Sequence, residues 1–112
     1  MKASKRLEGG VTVLSLSGKL MGGPDADVIR DLIKESLEGE SKNILVDLGD
    51  VSWVNSTGLG ILIASHVTVT NGGGSIKLSR VSKRIHQIFM VTKLHTVFET
   101  FETKEEALAS FA

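Results

Sequence analysis

The chain has 112 residues, of which 41% are hydrophobic and 23% charged, which suits one small core and excludes an intrinsically disordered segment. Thirteen basic and thirteen acidic side chains cancel to a formal charge of zero. This balance removes the overall positive charge with which nucleic-acid-binding proteins attract phosphates. The chain has no cysteine, which excludes disulfides, thiolate nucleophiles, zinc–thiolate sites and iron–sulfur clusters.

The N-terminal segment and the apolar runs predict a soluble, cytoplasmic protein. The basic residues near the start are not followed by the apolar stretch that a signal peptide needs. The longest nearly apolar run, residues 59–64, is far shorter than the roughly 20 residues that cross a bilayer. We therefore expect one domain over residues 1–112 with neither a membrane nor a nucleic acid as a direct partner.

The first third of the chain predicts a β-hairpin followed by a helix. Apolar and polar residues alternate after Gly9-Gly10, which indicates two short strands within residues 4–17. Pro24 suits the first position of a helix that Gly39 ends. The apolar face of this helix consists of Val28, Ile29, Leu32, Ile33 and Leu37.

The middle third predicts a strand and a helix that are both buried. Residues 44–48 form a short apolar run, typical of a strand that is covered on both faces. Residues 56–71 are apolar almost all round, so we expect a helix without a solvent-exposed face. Three glycines, residues 72–74, end this helix.

The last third predicts two strands that alternate with two helices. Ile76 and Leu78 indicate a strand, Ser82 caps a helix, and Val97-Phe98 suggests a brief edge strand. Residues 103–106 form a capping box for the last helix. Strands that alternate with helices predict an α/β fold: a mixed sheet of about four to five strands with about four helices packed against it.

Enzyme motifs are incomplete in this sequence. Ser56 lacks the leading glycine of a nucleophile elbow, and residues 58–60 begin a dinucleotide-binding fingerprint in which Ile63 replaces the third glycine. Asp47 and Asp50 are three residues apart after a strand, a spacing that favours turn chemistry over an acid–base pair. We therefore predict a protein that is not an enzyme and uses no metal or cofactor.

Residues 55–60 join a strand to a helix and are the strongest candidate for a functional site. The first backbone N–H groups of a helix have no partner within it, and the helix dipole favours an anion there. One interpretation is structural, with Ser56 or Thr57 as the helix cap. The other is a phosphoserine whose oxygens meet the helix N–H groups. The spacing alone leaves both interpretations open.

The same segment resembles the central motif of the STAS domain, the family of bacterial anti-sigma factor antagonists. Residues 44–48 precede Asn55-Ser56-Thr57-Gly58-Leu59-Gly60, which is similar to the family string Asp-Ser-Ser/Thr-Gly-Leu-Gly. Gly18-Lys19-Leu20 resembles the Gly-x-Leu after the family's early strand, and residues 82–94 and 104–108 resemble its last two helices. The likeness covers nearly the whole chain and implies a STAS-type fold.

The resemblance implies a partner switch. In this family, the unmodified antagonist binds an anti-sigma factor, a serine kinase of the histidine-kinase-like ATPase fold, and so frees a sigma factor. The kinase phosphorylates the first serine of the motif, which breaks the complex, and a PPM-type phosphatase restores it. Carried over to this sequence, the phosphoacceptor is Ser56. The implied partner-binding residues are Met21, Gly22, Gly23, Asn55, Thr57, Gly58 and Leu59.

Two positions depart from the family pattern. Asn55 replaces the usual aspartate, and Gly22-Gly23 replaces residues that are commonly more polar. Asparagine also hydrogen-bonds nearby backbone groups, so the turn should persist, while the lost carboxylate could alter recognition by the kinase.

Other functional interpretations remain open at this point. One is a constitutive STAS interaction or scaffold subunit of a signalling or lipid-transport complex, in which Ser56 only caps the helix. Another is a small-ligand or nucleotide binder at the same helix start. Trp53 is either a half-buried strand residue or an anchor at the rim of a partner surface.

Overall fold

The computed structural model describes residues 1–39 and 41–111 and shows, over these residues, five strands and four α-helices. The strands are β1 (Lys2–Glu8), β2 (Val11–Leu20), β3 (Asn43–Val54), β4 (Ser75–Ser79) and β5 (Thr100–Phe101). The helices are α1 (Pro24–Glu38), α2 (Ser56–Asn71), α3 (Lys83–Thr92) and α4 (Lys104–Ser110), and a 3₁₀ turn covers Leu94–Thr96. The predicted α/β fold is confirmed.

The sheet is mixed, as predicted, with the order β1-β2-β3-β4-β5. The hairpin places β1 antiparallel to β2, and the remaining neighbours are parallel. Gly9 and Gly10 form the hairpin turn with φ values of 58° and 79°, a region in which a side chain is strained. Because each parallel connection crosses over through a helix, α1, α2 and α3 cover one face of the sheet.

The core has two parts, one on each face of the sheet. On β3, Ile44 and Val46 face the larger cluster, which includes side chains from α1, α2 and α3. Leu45 faces the opposite side, where Ala107 of α4 covers it. Because helices cover both faces of the sheet here, residues 44–46 of β3 are apolar on both sides. The prediction of a strand covered on both faces is confirmed.

The expectation that α2 is buried all round is wrong. Ile61, Leu62 and Val69 point into the core, whereas Ile63 is 39% exposed and Val67 is 50% exposed. The helix lies on one face of a sheet, with no further layer of the described chain outside it, so its outer side meets solvent. Ile63 and Val67 thus leave a partly apolar outer surface.

The predicted edge strand at Val97-Phe98 is also wrong, because the last strand is Thr100–Phe101. Lys93 adopts a left-handed conformation (φ 62°) that ends α3, and the 3₁₀ turn follows. Phe98 then turns into the core, where its ring stacks on that of Phe89 at a centroid distance of 5.9 Å. Phe98 is therefore buried in the core rather than paired in the sheet, and strand pairing begins two residues later, at Thr100.

The length of β3 positions the candidate site. This strand continues past its pairing with β4 and stays paired with β2 as far as Leu20 and Val54. Helix α1 begins a few residues after β2, and α2 begins directly after β3. Residues 20–25 and 54–58 therefore lie side by side at the carboxyl ends of two neighbouring parallel strands. Within the described residues, no helix has the length and apolarity needed to cross a membrane.

Candidate functional site at the start of helix α2

Asn55 caps helix α2. Its backbone is extended (φ −98°, ψ −176°), and its Oδ1 accepts a hydrogen bond from the backbone N–H of Gly58 at 2.8 Å. The interpretation of Ser56 or Thr57 as the cap is therefore wrong. A capping side chain must precede the first helical residue to reach the third backbone N–H, and Ser56 already occupies the first helical position.

Asn55 also holds the loop that follows β2. Its side-chain Nδ2 donates a hydrogen bond to the carbonyl oxygen of Met21 at 3.2 Å. Its backbone N–H donates to the carbonyl oxygen of Leu20 at 3.4 Å. Two segments that are 34 residues apart in sequence are thus joined through one residue. The structure places the Met21-Gly22-Gly23 loop directly beside the start of α2.

Two glycines allow these segments to pack closely. A Cβ atom on Gly58 would collide with the carbonyl oxygen of Leu20, so the first turn of α2 lies against the backbone of β2. A Cβ atom on Gly22 would collide with the side chain of Thr57, and Gly22 has a φ of 99°, which side chains disfavour. Gly60, by contrast, faces open space, so its place in the motif is not required by packing.

Ser56 and Thr57 are exposed at the first two positions of α2. The N–H of Asn55 is bonded to Leu20, and that of Gly58 is bonded to the Asn55 side chain. Among residues 1–39 and 41–111, no acceptor takes the N–H groups of Ser56 and Thr57. Two unpaired backbone donors therefore lie next to the exposed hydroxyl of Ser56.

The other predicted partner-binding residues differ in exposure. Met21 is 46% exposed, and Gly23 is exposed at the start of α1. Leu59 is half-buried and packs against the larger core cluster, while Gly58 is buried. The structure thus brings these residues together, and their roles in partner binding stay predictions.

Trp53 lies at the same edge of the sheet, three residues before Ser56. Its side chain is 39% exposed, and the guanidinium of Arg84 lies over the ring at 5.3 Å from the centroid. Arg84 belongs to the first turn of α3. Sequence reasoning did not identify this contact, because nothing local to either residue indicates that the ends of β3 and the start of α3 are neighbours.

An ion pair between a buried aspartate and an exposed arginine, outside the site, was also missed from the sequence. Asp47 is 4% exposed and accepts hydrogen bonds from Arg80 Nε at 2.9 Å and Nη2 at 2.8 Å. These hydrogen bonds, together with the charge of Asp47, raise the pKa of Arg80 above its ordinary value. Asp47 also accepts the N–H of Gly49 at 3.0 Å. The predicted turn after the strand is wrong, because Asp47 and Asp50 both lie within β3, at an irregularity in its pairing with β2. The pair joins the interior of β3 to the residue that follows β4.

Comparisons with known proteins agree with this geometry. A family model described as the STAS domain matches residues 2–107. The anti-sigma-B factor antagonist of Bacillus subtilis (strain 168) is 32% identical over 74 residues, which make up 66% of this chain and 67% of that protein.

Solved structures share the fold. An anti-sigma factor antagonist from Mycobacterium paratuberculosis has a TM-score of 0.82 at 22% identity, covering 97% of this chain and 92% of that one. The Bacillus cell fate determinant SpoIIAA in its phosphorylated form has a TM-score of 0.75 at 19% identity, covering 99% and 100%. The family-model match extends over nearly the whole chain, as the resemblance of the central motif predicted. The chain therefore belongs to the STAS domain family, and its relatives include anti-sigma factor antagonists.

Proposed function

We propose that this protein is a cytoplasmic anti-sigma factor antagonist that works by binding and has no catalytic activity of its own. In its unphosphorylated form it binds an anti-sigma factor that is a serine kinase, and it thereby frees a sigma factor. Phosphorylation of Ser56 ends the complex, and a PPM-type phosphatase restores it. The identity to the anti-sigma-B factor antagonist supports this class of function.

The exposed Ser56 at the first position of α2 is the observation that carries the proposal. Because Asn55 makes the capping bond, the Ser56 hydroxyl is not needed to cap the helix. A kinase can reach this hydroxyl without opening the fold. One structural relative, SpoIIAA, was solved in a phosphorylated form, which supports a phosphorylation switch in this family.

The start of α2 suits a phosphoryl group. A phosphoserine carries a charge of about −1.5 to −2 at neutral pH. The unpaired N–H groups of Ser56 and Thr57 and the helix dipole offset part of this charge. The fold should therefore tolerate phosphorylation of Ser56.

The same charge would disrupt a protein interface at this surface. Met21 and Thr57 are exposed on either side of the site, so a partner that covers them would also cover Ser56. Burying an uncompensated phosphoryl group costs several kcal/mol in lost hydration. A loss of only ~3 kcal/mol lowers the affinity about a hundredfold. Phosphorylation is thus expected to dissociate the complex and leave the protein folded.

The proposal is tested by affinity capture from native-cell extract with the wild-type protein and with Ser56→Ala, Ser56→Asp and Ser52→Asp as baits. Ser52 is an exposed serine of β3, so Ser52→Asp adds the same charge near the site but outside α2. We expect an ATPase-fold serine kinase, identified by mass spectrometry, with every bait except Ser56→Asp. Circular dichroism should show all four baits folded.

Incubation of the purified pair with ATP tests the phosphoacceptor directly. The wild-type protein and Thr57→Ala should each gain one phosphoryl group on Ser56, and Ser56→Ala should gain none. If Ser56→Asp retains the same partner as the wild type and ATP modifies neither hydroxyl, the switch is wrong. The protein would then act as a constitutive scaffold subunit.

A further inference from the structure

We infer that Asn55 is a positioning residue: its side-chain amide joins the loop of residues 21–23 and the start of α2 into one rigid surface. The inference rests on the proposed function only where it concerns the kinase. The clamp itself is a property of the free protein.

The Asn55 side chain accepts one hydrogen bond and donates another. Oδ1 accepts from the N–H of Gly58, and Nδ2 donates to the carbonyl oxygen of Met21. An aspartate could accept from Gly58 but has no donor, so its second oxygen would face the Met21 carbonyl and repel it. A serine could also cap the helix but is too short to reach both partners. Among capping side chains of this length, only an amide satisfies both groups.

The loop that Asn55 holds has little rigidity of its own. Gly22 and Gly23 have φ values of 99° and 61°, and glycines lose the most backbone entropy when they are ordered. Three local bonds hold this segment: Met21 N–H to Asp25 Oδ2 and Asp25 N–H to the Gly22 carbonyl, both at 3.3 Å, and Ala26 N–H to the Gly23 carbonyl at 3.2 Å. Within residues 1–39 and 41–111, the bond from the Asn55 amide to the Met21 carbonyl is the one that connects the loop to the start of α2.

The two departures from the STAS pattern therefore meet at one place. Gly22 and Gly23 bring no side-chain donor to the loop. The loop offers the Met21 carbonyl instead, and the facing residue must then supply a donor. Asn55 supplies this donor, so its amide makes the bond that the glycines of the loop cannot make.

A fixed loop matters for recognition. Met21 and Thr57 are exposed on the two joined segments, and the clamp holds them at one spacing before any partner arrives. A partner then does not lose binding energy in ordering the loop. Asn55 thus acts on recognition through the loop and needs no contact with the partner itself.

Amide hydrogen exchange of the free protein tests the clamp with Asn55→Ser, Asn55→Asp and the control Asn43→Asp. Asn43 begins β3, so Asn43→Asp adds the same charge at the far end of the same strand. We expect the Met21 and Asp25 amides to exchange at least about tenfold faster in both Asn55 variants and at the wild-type rate in Asn43→Asp. The Gly58 amide should stay protected in both, because serine and aspartate still cap the helix.

Two results would overturn the inference. Unchanged exchange of Met21 and Asp25 in Asn55→Ser would show that the amide does not hold the loop. Faster exchange in Asn55→Asp alone would assign the effect to the added charge. Urea unfolding of each variant checks that the fold is retained.

A second readout separates this inference from the proposed function. If both hold, Asn55→Ser should bind the kinase captured by the wild-type protein about tenfold more weakly, and Asn43→Asp should bind it normally. Faster loop exchange without any kinase capture by the wild type would leave the clamp standing and contradict the proposed function. Normal kinase affinity despite faster loop exchange would show that loop order does not contribute to recognition.

Discussion

Helices α2 and α3 both begin with a side-chain cap, but the two starts differ in charge and in their contacts with other segments. Asn55 accepts from the N–H of Gly58 at 2.8 Å, and Ser82 accepts from the N–H of Ile85 at 3.2 Å. The first turn of α2 is uncharged, whereas that of α3 contains Lys83 and Arg84. Asn55 also binds the loop that follows β2, because its Nδ2 donates a hydrogen bond to the Met21 carbonyl.

The Ser82 side chain makes only a local capping bond, whereas the Asn55 side chain also makes a bond between segments that are distant in sequence. A cap needs only an acceptor and a backbone N–H three residues later, and both are set by the nearby sequence. The link from Asn55 to Met21 requires that β2 and β3 end side by side. The capping residue of α3 therefore only begins a helix, while the capping residue of α2 also joins a second segment of the chain.

The largest expected effect comes from breaking the close contact at the start of α2. In Gly58→Ala, the new methyl group would collide with the backbone of Leu20, and overpacking of this kind costs roughly 1–3 kcal/mol of the free energy of unfolding. Gly60→Ala is the matched control, because its Cβ faces open space and alanine favours a helix by roughly 0.5–1 kcal/mol. Urea unfolding should thus shift in opposite directions. A similar shift for both variants would contradict the close packing of Gly58.

A smaller effect is expected when the two caps are removed. Ser82→Ala should lower the free energy of unfolding by about 1 kcal/mol, the usual cost of a lost cap. Asn55→Ala loses both the cap and the bond to Met21, so we expect about 2 kcal/mol. Chemical unfolding of the two variants measures the difference. Equal losses would mean that the bond to Met21 adds no stability.

The smallest effect concerns the contact between Trp53, near the end of β3, and Arg84, at the start of α3. Arg84→Ala removes the cation above the Trp53 ring, an interaction worth about 0.5–1 kcal/mol at an exposed site. Tryptophan emission should shift, because the ring loses its cover. In the control Lys83→Ala, emission should not change, and stability should rise by about 0.3 kcal/mol, because a cation in the first helical turn opposes the dipole. Unchanged emission in Arg84→Ala would contradict the stacked arrangement.

Local signals determined the order of the elements and the place of the candidate site. The hairpin at Gly9-Gly10 and the helix beginning at Pro24 each depend on residues close together in sequence, and both are confirmed. Of the predicted capping box, the cap is confirmed, because Thr103 Oγ1 accepts from the N–H of Glu106 at 3.1 Å. The Glu106 carboxylate accepts from the Thr103 hydroxyl rather than from its backbone N–H. The motif at residues 55–60 likewise stands where the sequence placed it, between a strand and a helix. Short-range hydrogen bonds and hydrophobic periodicity are sufficient for such features.

Only the tertiary structure decided which side chains meet and which faces are covered. Composition could not show that one side of α2 meets solvent, nor that Phe98 turns into the core rather than joining the sheet edge. The pairing of Asp47 with Arg80 and of Asn55 with Met21 joins residues 33 and 34 positions apart, and depends on the register of parallel strands. The sequence alone thus predicts a cap at the start of α2 but assigns it to Ser56 or Thr57, whereas the structure shows that Asn55 makes the capping bond. The register of β2 against β3 then brings the Asn55 side chain to the Met21 carbonyl as well.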